Sequence, residues 1–170
     1  MNNSGVLPDE WCAMQEAENL LLVCRYDLKK HADFKEIILL ALSTLSEQDA
    51  ALRFLKDDVS GLNDSELAEI APAVIDIAVD GNLDNLITAR AVVLRYASHF
   101  LESRKIIRTV LDRLMDGYLS SEDDFLYRRL AELLVAIDFP DILTKLISVC
   151  KDSSNPDIAE IHDDFLKFAA

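Results

Sequence analysis

Three histidines, three cysteines and 31 acidic side chains are the residues of this 170-residue chain whose chemistry could make a site. His31, His99 and His162 stand far apart. No two have the three- or four-residue spacing that sets a pair of ligands on one helix face, so no metal centre is expected. Cys12, Cys24 and Cys150 form no C-x-x-C pair, and nothing supports a Cys/His nucleophile. They read as apolar fillers of a core and, being odd in number, as the reduced thiols of a cytoplasmic protein. There is no G-x-S-x-G, P-loop or G-x-G-x-x-G, and four glycines leave almost no material for a phosphate-cradling loop. No catalytic residue and no cofactor are therefore expected. An enzyme would need a pocket gathering His99 or His162 with carboxylates or Cys150.

The carboxylates are the stronger signal. Seventeen basic residues face 31 acidic ones, a net charge of −14. Such a surface repels phosphate backbones and anionic membranes, and it attracts a basic protein. Asp80, Asp116 and Asp152 recur 36 residues apart. Aligned along one edge they could meet a basic partner; alternatively each caps a helix or bonds its own turn. Glu122, Asp123 and Asp124 form a second cluster, which a helix N-terminus would also explain. Asp163 and Asp164 form a third, at mid-helix, where propensity gives no reason for paired aspartates. These seven aspartates are the candidate partner-binding residues. Arg95, His99, Arg104, Lys105, Arg108 and Arg113 are a local excess of positive charge, suited to an anion or to acids such as Glu102 and Asp112.

What must position these groups is helix. The composition is 51% apolar with few aromatics, glycines or prolines, and no stretch alternates with the period of a strand. A long helix is expected over residues 8–30, with Trp11, Met14, Ala17, Leu21, Cys24 and Leu28 on its apolar face. Asp33 to Glu36 has the spacing of a capping box. Further helices follow to the C-terminus, nine in all, and short turns suit antiparallel neighbours. Pro72 either bends the fourth helix or marks a start near Ala71. Ser103 is placed to cap the sixth, and Gly117 to stop it. The N-terminal residues lack a secretory pattern, and the aliphatic run Ile37 to Leu42 is too short to span a bilayer.

The pattern repeats. Ile70, Val74 and Ile75 return 36 residues later as Ile106, Val110 and Leu111, then as Ile142, Leu146 and Ile147. The helix pairs fall at about 34–63, 64–103, 104–139 and 140–170, a single domain over 1–170. Asp84 with Arg90, and Asp123 with Arg129, have the six-residue acid-to-arginine spacing of HEAT repeats, followed by similar apolar tails. Over residues 64–170 the chain resembles HEAT and, more loosely, armadillo repeats. The resemblance implies a right-handed superhelix of antiparallel helix pairs, acid–arginine pairs holding the repeats in register, and a protein-binding platform. Size, charge and the missing catalytic motifs then suggest an immunity or antitoxin-type inhibitor of a basic toxin such as a nuclease. An adaptor holding a peptide or helix in an apolar groove is the alternative.

Overall fold

The computed structural model describes residues 7–58 and 60–169, and His99 by its backbone only. The expectations for Val59 and for the His99 side chain lie outside the described residues. The chain is all-α. Its helices are α1 (Asp9–Lys29), α2 (Phe34–Ser43), α3 (Gln48–Asp57), α4 (Asp64–Asp80), α5 (Leu83–His99), α6 (Leu101–Leu119), α7 (Asp124–Ala136), α8 (Pro140–Lys151) and α9 (Pro156–Phe165), with a final 3₁₀ turn at Leu166–Phe168.

The helices after α1 form two layers. α2, α4, α6 and α8 pack side by side in one. α3 packs on α5 and α7 on α9 in the other, and Arg90 bonds α5 to α7. Within each layer the helices run parallel. Arg108 meets Asp141, and Asp112 meets Lys145, with the same offset of 33 residues between α6 and α8. Asn85 meets Gln48, and Arg95 meets Leu55 and Lys56, with offsets of 37 to 40 between α3 and α5. The apolar faces close between the layers. Leu52, Leu55, Ile70, Ile75, Leu111, Leu130, Leu134 and Leu146 are fully buried, and α4 lies at the centre, packed on α2, α5, α6 and α7.

Local chemistry sets the boundaries, not always where the sequence pattern placed them. Asp33 makes no side-chain cap. The capping box lies instead at Asn63 and Glu66, where each side chain accepts the other's backbone N–H and starts α4. Pro72 lies inside α4, which continues through it. α6 starts after an extended Phe100, so Ser103 is buried in its first turn and does not cap it. It also runs past Gly117 to Leu119. The apolar side chains of Leu101 and Phe125 are exposed.

The largest departure is α1, in which no residue is buried. Trp11, Met14 and Leu21 stand in solvent, as do Leu20, Leu22, Val23 and Tyr26. Cys12 and Cys24 are exposed on this helix, while Cys150 is buried as a filler should be. The periodicity shows that α1 has an apolar face, but of the residues on it only Leu28 packs against the core. α1 is held at its C-terminal foot, by Lys29 to Glu66 at 2.7 Å and Arg25 to Asp57 at 3.4 Å.

Candidate functional site

The parallel layers give the molecule two unlike ends. One end carries the C-termini of α4, α6 and α8 and the N-termini of α5, α7 and α9. A helix with an aspartate in or just past its last turn is here followed by one with an aspartate in its first turn. Asp80, Asp116 and Asp152 stand at the ends of α4, α6 and α8, all exposed. The hydroxyl of Tyr118 donates to Asp76, joining the ends of α4 and α6. Burial, with Asp76 and Asp80 nearby, raises the Tyr118 pKa well above its ordinary value of 10.0.

Asp123 and Asp124 belong to the same end. Asp123 caps α7 by accepting from Leu126 N at 3.2 Å, the structural job that the sequence allowed it. Beside it Glu122 holds a left-handed backbone with φ 54°, a conformation that costs a residue with a side chain about 1 kcal/mol. Asp84 and Asp157 lie in the first turns of α5 and α9, where carboxylates suit the helix dipole. With Asp76, these make nine carboxylates along one edge. None of the nine has an ion-pair partner among the described residues.

Asp163 and Asp164 are not part of this edge. They lie some 12 Å along α9 at 1.5 Å per residue. Asp164 meets Arg128 at 2.7 Å, and His162 lies 2.9 Å from Asp163. Asp76, Asp84 and Asp157 join the edge without having been singled out as partner-binding candidates, and Glu122 joins it as a member of the cluster read with Asp123 and Asp124. Asp76 could have been found from its four-residue spacing to Asp80, which sets both on one helix face.

Most of the basic residues are engaged elsewhere. Arg95 donates to the carbonyls of Leu55, Lys56 and Asp58 at the end of α3. Arg104 donates to Ala97 O at the end of α5 and to Ile137 O at the end of α7, at 3.2 and 2.9 Å. Arg108 pairs with Asp141, which holds that carboxyl below its ordinary range. Arg95, Arg104, Lys105 and Arg108 are therefore used within the fold, and Arg113 has no ion pair or hydrogen bond among the described residues. Arg90 and Arg129 link helices, but not through the expected acids. Arg90 reaches Ala78 O, Arg129 O and Glu132, and Arg129 reaches Gly81 O. Asp84 pairs with no arginine among the described residues: these guanidiniums are taken up by carbonyls left open at the end of α4, by Arg129 O and by Glu132.

Among the described residues, no three His, Cys, Asp or Glu side chains come together to hold a metal ion. Burial pushes the Cys150 thiol up to about 11, so it is protonated and unreactive near neutrality. Among the described residues, no helix is long and apolar enough to cross a membrane. No family model, no curated protein and no solved structure matches this chain.

Proposed function

We propose that this chain is a non-enzymatic protein-binding module, and that the edge bearing Asp80, Asp116, Asp123, Asp124 and Asp152 holds a basic protein. One observation carries the reading: most of the arginines are spent on ion pairs and helix ends, while nine carboxylates along one edge have no ion-pair partner among the described residues. An edge left with uncompensated charge speeds encounter with an opposite surface and favours it over neutral ones. In its most concrete form the module is an immunity or antitoxin-type inhibitor masking a basic toxin such as a nuclease. Its two layers of parallel helices support reading it as a HEAT-like binding platform.

The test is capture by the tagged chain from its source lysate, with washes at low and high salt. The expected result is one basic protein, released as salt screens the contact and lost when Asp80, Asp116, Glu122 and Asp152 are changed to their amides. A partner that survives high salt and binds this quadruple variant as tightly as the wild type would sink the reading. That outcome would favour the adaptor alternative, for which the apolar groove between α1, α2 and α3 is the available surface.

A further inference from the structure

Between the starts of α3 and α5, on the acidic edge, lies an open groove of about 700 Å³. Leu45, Leu83 and Ile87 wall it, each at least 60% exposed, and the last two share one face of α5 at four-residue spacing. Asp49, Arg53 and Asp84 line it as well. Arg53 is held by Asp49 at 3.0 Å, so Asp84, one of the bare carboxylates, is the uncompensated charge of the groove. Glu47 and Asp80 each stand two residues from a lining residue and add to it. The other nearby cations lie on the α7 side of α5, where Arg90 pairs with Glu132 and Arg129 donates to Gly81 O. Asn85, 5% exposed, also lines the groove. Gln48 Nε2 donates to Leu42 O at 2.7 Å, so Gln48 Oε1 is the acceptor that takes the Asn85 N–H at 2.6 Å. This chain of bonds fixes which way the Asn85 amide points. Its Oδ1 accepts no hydrogen bond among the described residues, yet it is not sealed from solvent. An acceptor on a side chain this deeply set ordinarily has a donor.

We infer that this groove seats one lysine or arginine side chain of the basic partner. Its methylene stem lies on Leu45, Leu83 and Ile87, and its cationic head meets the Asp84 carboxylate and Asn85 Oδ1. The inference rests on the reading of the acidic edge and names the residue type that the edge grips. Lysine and arginine are the side chains that join an apolar stem to a charged donor, which is what a groove with apolar walls, one bare carboxylate and one open acceptor calls for. A purely apolar side chain would cover Asn85 Oδ1 and Asp84 without supplying a donor, at the cost of their desolvation. An acidic one would be repelled by Asp84.

Amide NMR of the full chain, titrated in low salt with n-butylammonium and n-butylguanidinium, tests it. The uncharged n-butanol carries the same stem. Both cations are expected to give saturable shifts at residues 45–49 and 82–88, and butanol is not. D84N should weaken their binding about threefold or more, the scale of one exposed charge contact. L83S/I87S should weaken it as well, with unchanged circular dichroism, because both side chains lie outside the core. The variant with Asp80, Asp116, Glu122 and Asp152 changed to their amides should keep the groove shifts, since none of the four lines the groove. A chain that captures no basic protein yet still binds these cations in the groove would therefore lose the reading of the edge and keep the site. Shifts no larger in the groove than at the other carboxylates of the edge, butanol binding as tightly as the cations, or either groove variant binding like the wild type would each overturn the inference.

Discussion

Gly81 and Gly117 follow aspartates in the same repeating pattern, yet their surroundings demand opposite things. A Cβ on Gly81 would sit 2.4 Å from the backbone oxygen of Ile77, which also accepts the Gly81 N–H and closes α4. A Cβ on Gly117 would meet nothing within 4 Å, in the middle of a helical turn. Gly81→Ala should therefore cost about 2 kcal/mol, the scale of forced backbone rearrangement. Gly117→Ala should stabilise by roughly 0.5–1 kcal/mol, since glycine is the poorer helix former. Urea titrations of the two variants check this pair, and equal signs would refute it. The cysteines divide in the same way. Cys12 and Cys24 should react with a maleimide in the native state, and Cys150 only after unfolding. Because folding raises the Cys150 pKa from 9.0 to about 11, its protonated thiol contributes stability that is complete below pH 9 and disappears as pH rises toward 11. Melting temperatures between pH 9 and 10 should fall in the wild type and fall less in Cys150→Val. Above that window the buried tyrosines Tyr96 and Tyr118 add the same sign of loss.

At the scale of elements, arginines join one helix pair to the next both through ion pairs, as Arg90 to Glu132 and Arg108 to Asp141, and through helix carbonyls, as Arg104 does. Arg104→Leu would leave the carbonyls of Ala97 and Ile137 without that donor, and a loss of about 1–3 kcal/mol is expected by chemical denaturation. Asp84→Asn should change stability by less than about 0.5 kcal/mol, since Asp84 holds no arginine. Helix existence was legible in the sequence because three- and four-residue apolar spacing records the core, and most of α4, α7 and α8 follows it. Boundaries were less so. The capping box moved from Asp33 to Asn63 because a cap is decided by backbone angles, and Asp33 has φ −98° and ψ 30°, outside the extended region a cap adopts. α1 shows the deeper limit: periodicity reports that a face is apolar and is silent about whether the chain itself covers it. The Asp80, Asp116 and Asp152 edge could be read from a fixed period, since equal spacing on parallel helices returns each residue to the same end. The acid–arginine pairing could not, because a guanidinium chooses between a carboxylate and open helix carbonyls in three dimensions.

For the whole molecule, charge is sorted by end. The end with the starts of α4, α6 and α8 pairs its acids with Lys29, Lys35, Arg104 and Arg108, and the other end leaves its acids bare. Added salt should therefore stabilise the isolated chain slightly by screening that repulsion, while weakening its hold on a basic partner. The layers also have a kinetic meaning. Each side-chain bond described between helices joins residues no more than 48 apart, the widest being Arg129 to Gly81. No early encounter of distant chain segments is needed, so the entropy of loop closure stays small at every step. Such a chain assembles from the middle outward and comes apart from its ends. Amide protons of α4, enclosed on four sides, should exchange last, and those of α9 should open without waiting for the rest.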